Sequence, residues 1–195
     1  MICIGAEGTD RFIRKLSEKY ADAGLRTEIC FDISPRAAEL INEAESRGCE
    51  VFIMPPVTSG AVKYDILILV SETDIKNIPY MANVKRGGYV IVNSDDCGLN
   101  ACVIPNGVNI VTCGVNSRSA VTFSGIAENR NGRETIQCCI QKYIKTVSGR
   151  KIVPQEFAVN VLGKYPISEV LAIIAAAVTG DIEQTVTTGR LFSSD

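Results

Sequence analysis

The 195-residue chain reads as an α/β protein built on a doubly wound, mostly parallel sheet, with an antiparallel β meander in its C-terminal half. Three observations predict this. Short apolar runs alternate with helical periodicities through the first half, the pattern of successive βαβ units. Two of those runs, Tyr64-Asp-Ile-Leu-Ile-Leu-Val70 and Tyr89-Val-Ile-Val92, are apolar almost without interruption, as central parallel strands covered on both faces should be. Past residue 120 the pattern changes to extended segments broken by polar turns. There Ile136, Cys138 and Ile140 alternate with Gln137 and Gln141, as in a strand with one wetted face.

Taken in order, residues 2–4 form a first strand and Gly5 and Gly8 supply a turn. A helix follows, on the three- and four-residue spacing of Phe12, Leu16, Tyr20 and Ala23, and Gly24 closes it. Residues 26–31 are a second strand. Ser34-Pro35 opens a helix with serine at the cap and proline at the first helical position. Ala37, Leu40, Ile41 and Ala44 are its apolar face, and Gly48 ends it. Strands are expected at 50–54 and 64–70, joined by a loop over 55–60, then a polar loop at 72–74 and a short helix to about Lys85. Gly87-Gly88 introduces the strand at 89–92, which ends at Asn93-Ser-Asp-Asp96. Residues 108–113 are a strand closed by Gly114. Extended segments follow at 120–126, 135–144 and 151–161, with turns at Asn129-Arg-Asn-Gly132 and Ser148-Gly149. The last helix covers 167–179, with Val170, Ile174 and Ala177 on one face. Residues 1–180 make one domain and 181–195 a polar tail.

Composition narrows the function. With 46% apolar residues and a net charge of −2, the chain has no electrostatic footprint for nucleic acid or an anionic membrane. No run approaches the ~18 consecutive apolar residues of a membrane span. Glu7 and Asp10 so early, with no basic stretch, do not read as a signal peptide. The eight cysteines include no CxxC pair, and there is no histidine. Common zinc patterns and Ser–His–Asp or Cys–His nucleophile systems within this chain are thereby excluded. Reduced cysteines used as small core residues of a cytoplasmic protein account for the pattern. A redox or metal role for vicinal Cys138-Cys139 is the competing reading, although neighbours on a strand point to opposite faces.

A strand, a glycine turn and a helix N-terminus form a common phosphate-binding device, because the backbone can approach the anion and free N–H groups hold it. A P-loop then requires Lys and Ser or Thr after the glycine, whereas Thr9 and Asp10 follow Gly8. Asp10 also puts a carboxylate where it can satisfy the helix amides and repel a phosphate. Loops leaving the carboxyl ends of parallel strands surround the usual crevice of such sheets. The ligand-binding candidates are therefore Gly5, Gly8, Thr9, Asp10, Ser59, Asn93, Asp95 and Asp96, with the crevice where residues 5–10, 55–59 and 93–96 converge. No catalytic residue and no metal ligand is assigned. Arg11 and Arg14 are either cations for the turn or a solvated helix face.

The order of these pieces resembles the central ATP-binding domain of the Mur ligases and their folylpolyglutamate synthetase relatives, over residues 2–180. Its strongest part is Gly-Gly-Tyr-Val-Ile-Val-Asn-Ser-Asp-Asp at 87–96, similar to the family's strand ending in Asn-x-Asp-Asp. The spacing to Val111-Thr-Cys-Gly114 and to the late helix also fits. The resemblance implies a P-loop-like, Rossmann-like fold and, for an intact member, amide-bond formation with ATP and magnesium. The catalytic pattern is missing residue by residue. Gly5-Ala-Glu-Gly-Thr-Asp10 replaces the Gly-Lys-Thr loop, and Pro56 stands at the metal-binding Glu of Glu-Val-Ser-Ser. Ser71-Glu-Thr-Asp74 replaces an Asn and a later Asp-His pair, and Tyr165, Pro166 and Glu169 replace the adenine-side His-Asn and Asn. Asn93, Asp95 and Asp96 alone match, either as site residues or as turn residues with a structural job. With one domain expected over residues 1–180, neither of the family's two flanking domains is expected within these 195 residues. The expected function is that of a degenerate Mur-ligase-like domain: ligand or protein binding, regulatory or scaffolding, without ATP hydrolysis and with no cofactor. The alternative is an ATP-dependent ligase or nucleotide-binding subunit using non-standard residues, with Thr9, Arg11, Asp95 and Asp96 or groups from another chain as candidates.

Overall fold

Strands that are apolar on both sides find cover in a ten-stranded sheet with helices on each face. The computed structural model describes residues 1–31, 36–70, 79–95, 104–129, 133–162, 165–182 and 190–192. The sheet strands are β1 (Ile2–Glu7), β2 (Thr27–Ile29), β3 (Val51–Met54), β4 (Tyr64–Leu69), β5 (Val84–Asn93), β6 (Asn109–Cys113), β7 (Val121–Asn129), β8 (Arg133–Ile140), β11 (Gln155–Leu162) and β12 (Arg190–Phe192). A separate hairpin pairs β9 (Ile144–Lys145) with β10 (Lys151–Ile152). The sheet order is β12-β11-β8-β7-β6-β5-β4-β1-β3-β2. From β2 to β7 every pairing is parallel, and β8 then runs antiparallel between β7 and β11. The doubly wound parallel sheet with an added meander is thus the observed fold, with β1 internal and β4 and β5 at its centre.

The pleat sorts β1 cleanly. Ile4 and Ala6 face one core, with α1 (Asp10–Asp22) and α3 (Ile167–Thr179). Cys3 faces the other core, with Tyr64, Leu67, Val90 and α2 (Ala37–Ser46). Gly24 and Gly48 follow α1 and α2 at φ +85° and +82°, the left-handed turn that ends a helix and favours glycine. The Ser34-Pro35 start expected for α2 lies outside the described residues; Arg36 occupies the cap, without a side-chain capping bond. No helix among the described residues is long and apolar enough to cross a membrane.

Four expectations are corrected. Where the expected helix approaches Lys85, the described residues form a 3₁₀ turn at Pro79–Asn83 and β5 starts directly after it; residues 71–78 lie outside the described residues. Gly87-Gly88 lies within β5, not before it. Tyr64 pairs with Val84 and Ile66 with Tyr89, so β5 bulges between them. A Cβ at Gly88 would sit 2.9 Å from the Lys85 carbonyl oxygen and 3.0 Å from that of Asp65, so the bulge requires glycine. Second, the extended segments at 135–144 and 151–161 are each cut. Ile144 and Ile152 leave the sheet so that their hairpin can join the α3 core. Third, α3 is buried on every side from Val170 to Thr179, not on one face. Strands β4 to β7, α1 and β9 all pack against it. Fourth, the expected polar tail includes β12, which pairs parallel with β11 and so gains backbone hydrogen bonds.

Tyr20 ties α1 to α3: its buried hydroxyl donates to the Ala176 carbonyl at 2.8 Å. That carbonyl also accepts from Gly180 N–H, so Tyr20→Phe leaves it satisfied and should cost only about 1 kcal/mol, or roughly 2–4 °C in Tm. A Cβ at Gly180 would fall 2.4 Å from Tyr20 Oη, so Gly180→Ala should cost about 1–3 kcal/mol. Adding Tyr20→Phe should recover part of that loss in a thermal-denaturation double-mutant cycle, because the clashing oxygen is gone.

Burial pushes the Lys19 ammonium down to about 8, against the pull of Asp22. The folded form therefore holds this proton less tightly than the unfolded chain, and Lys19 favours folding more as pH rises from about 8 to about 10.5. The Tm advantage of Lys19→Met over the parent, measured across that window, should shrink as pH rises.

Candidate functional site

The carboxyl ends of the parallel strands gather the elements expected to form a crevice, but the predicted residues divide among three jobs. Gly5 is not in the turn. It lies inside β1, paired with Met54 and Leu67, and a Cβ there would meet the Tyr64 ring at 3.0 Å and Leu67 at 3.1 Å. Its role is close packing. Gly8 is in the turn, where a Cβ would approach Phe12 Cδ1 to 2.7 Å, so a bare backbone lets the Phe12 ring close over the strand end. Thr9 is the helix cap: its hydroxyl accepts from Phe12 N–H at 3.2 Å, and its carbonyl accepts from Ile13 N–H. The capping expected of Asp10 therefore belongs to Thr9, because Asp10 is already the first helical residue.

Ser59 is not at this edge. Its carbonyl and that of Val57 accept from the Asn83 amide at 2.9 and 2.8 Å, and Asn83 immediately precedes β5. The Tyr64 hydroxyl, at the start of β4, accepts from Val57 N–H at 2.8 Å. The 55–63 segment thus runs down one face of the sheet and places Ser59 near the amino ends of the strands. Periodicity could not show this, because a Pro-rich segment carries no signal for its direction of travel.

Asn93, Ser94 and Asp95 form a clasp between strand ends. Asn93 Oδ1 accepts from Asp95 N–H, and Ser94 N–H donates to the Cys113 carbonyl at the end of β6. Ser94 Oγ donates to that same carbonyl and shares a hydrogen bond with Ser119. Asp95 accepts from Val115 N–H at 2.6 Å and Asn116 N–H at 2.8 Å. Gly114 is required beside it, since a Cβ would fall 2.6 Å from Asp95 Oδ2. These contacts favour the structural job over the ligand-binding one. Asp96 lies outside the described residues, as do Ser71-Glu-Thr-Asp74 and residues 163–164.

The first turns of α1 and α3 bring further groups together at this edge. The Arg11 guanidinium stacks 3.8 Å from the centroid of Tyr165, just ahead of α3. Glu169, in the first turn of α3, is raised from the ordinary carboxylate range by burial, with Arg11 acting against that shift. Arg14 lies 5.0 Å from the Phe31 ring centroid. Both arginines thus cover aromatic faces rather than forming a purely solvated stripe. An Arg at the second helical position and a Tyr-Pro before another helix were visible in the sequence; their meeting depends on α1 and α3 lying side by side. On the opposite face, burial and the hydrogen-bonded Glu7 carboxylate push the Tyr80 phenol up to about 12, so it stays protonated near neutral pH. The site offers a guanidinium, aromatic faces and carboxylates, which suit binding.

The described cysteines are free thiols. Cys138 is in the core, pushed up to about 12 by burial, whereas Cys139 on the other face bonds to Glu156 at 3.3 Å. Among the described residues no group of His, Cys, Asp or Glu is placed to hold a metal. Comparison with protein families finds no matching family, and comparison with curated proteins finds no matching sequence.

The clasp yields a local prediction. Asp95 is exposed, so Asp95→Ala should cost only about 1 kcal/mol in urea unfolding. Its amide exchange should accelerate chiefly at Val115 and Asn116, leaving β5 and β6 protected.

Proposed function

We propose that this chain is a binding domain of Mur-ligase central type that does not hydrolyse ATP, and that its ligand occupies the edge between the first turns of α1 and α3. The observation carrying this reading is the link between β1 and α1, which is only Gly8 and Thr9. A phosphate loop needs several successive amides turned toward the anion. Here Gly5, Ala6 and Glu7 are in the ladder with β4, the Thr9 hydroxyl engages Phe12 N–H, and the Phe12 ring crowds Gly8. Glu7 and Asp10 add negative charge where a triphosphate would require positive charge. Arg11 over Tyr165, beside Glu169, suits a neutral or zwitterionic small molecule with a planar or cationic part. Free, largely buried thiols support placing this activity in the cytoplasm.

Calorimetric titration with ATP and ADP, with and without magnesium, tests the reading. It predicts no magnesium-dependent nucleotide binding and none that Arg11→Met weakens; magnesium-dependent micromolar binding would overturn it in favour of a ligase or nucleotide-binding subunit. Replacing Thr9 with Lys and Asp10 with Thr together should produce no ATPase, since phosphoryl transfer needs metal and cationic groups acting as a unit. Those substitutions can tighten phosphate binding, because a carboxylate is replaced and a cation added at a helix N-terminus. Phosphate release well above background would show a complete catalytic set and sink the proposal.

A further inference from the structure

We propose a second binding site, for a phosphate-bearing small molecule, in the cavity beneath the β9–β10 hairpin. The cavity measures about 430 Å³ and lies at the amino ends of β5 and β6, the edge opposite the candidate site. Its lining includes Gly87, Gly107 and Gly149, all left-handed at φ +83°, +83° and +93°. Gly87 N–H donates to the Gly107 carbonyl at 2.6 Å, joining two of these walls. The bulge in β5 brings Gly87 to this edge. Glycine walls leave room for a ligand to approach, while the Gly87 and Gly149 amides and the Ser148 hydroxyl are bonded within the chain, so side-chain cations must supply the recognition.

Charge identifies the ligand class. Lys145 lines the cavity, and it lies directly opposite Lys151 in the antiparallel register of the hairpin. Like charges facing each other across strands are destabilising. Neither lysine makes an ion pair among the described residues; nor does Arg86, whose stem lies against Gly107, where a Cβ would fall 3.0 Å from Arg86 Cγ. Asp181, the carboxylate associated with this hairpin, is engaged by Arg150 Nε at 2.8 Å and by the Ser148 and Thr146 hydroxyls. Lys145 is thus the cation in the cavity lining, with Lys151 opposite it in the hairpin and the Arg86 stem against the Gly107 wall, in a protein whose net charge is negative. A phosphate group, with several anionic oxygens, relieves the Lys145–Lys151 repulsion by accepting from both ammonium groups.

The test is calorimetric titration with inorganic pyrophosphate at low salt, with Tm recorded for each variant. Combining Lys145→Met and Lys151→Met should weaken binding at least roughly tenfold, whereas Arg11→Met, at the other edge, should leave it unchanged. Lys145→Glu should abolish binding and raise the ligand-free Tm by about 1–3 °C, because an opposed like pair becomes an attractive one. No binding at millimolar pyrophosphate, equal binding with and without the two lysines, or equal weakening by Arg11→Met overturns the proposal. A lower ligand-free Tm for Lys145→Glu also overturns it, since the lysine pair would then be stabilising without an anion.

Discussion

From Val170 to Thr179, α3 has no side open to water, and its neighbours are placed by the need to cover it. Strands β4 to β7 cover one side; α1 and the β9–β10 hairpin help close the rest. Burial of a continuous apolar surface is non-directional, so it sets proximity without setting register. Directional bonds do that: Tyr20 Oη to the Ala176 carbonyl locks α1, and Val147 N–H to the Thr179 carbonyl locks the hairpin. Both edges of the molecule inherit their geometry from this helix. At its start Tyr165 meets Arg11, and near its end the Thr146–Arg150 turn is held against Asp181.

The same economy of backbone groups explains why the strand–glycine–helix device does not form a phosphate cradle. A cradle requires amides without internal partners. In this chain β1 continues through Glu7, its ladder claims the amides that would have formed the loop, and Thr9 caps the helix at once. The Asn-Ser-Asp segment after β5 is likewise directed inward, where it joins the ends of β5 and β6 and orders the turn after Gly114. Groups that resemble ligand contacts in one dimension are backbone partners in three.

The parts of the fold legible in sequence were those governed by local period. The β4 run reads as a central strand because its inward and outward residues are both apolar, and the boundaries of α3 follow from its periodic run after Tyr165-Pro166. Local pattern failed at 79–88, where a 3₁₀ turn and one long strand stand in place of an expected helix end and a short strand. Gly87 and Gly88 read there as punctuation, whereas the Asp65–Lys85 ion pair and close contact with two carbonyls turn them into a bulge. The candidate site was less legible than the fold. Of its members, Gly8, Thr9, Asn93 and Asp95 do lie at the expected edge, but Gly5 is buried in packing and Ser59 is at the other end of the sheet.

What the sequence determined alone was which segments must be buried, on one face or two, and which chemistry is missing: no histidine, and no lysine after the turn glycine. Those are properties of residue type and spacing. Only the tertiary structure decided which polar groups meet. Arg11 and Tyr165 are separated by most of the chain, and Lys145 reaches a cavity walled by Gly87 and Gly107 because β5, β6 and the hairpin converge on α3. Such meetings depend on the order of strands in the sheet and the path of the crossovers, which long-range packing selects and local propensity does not encode.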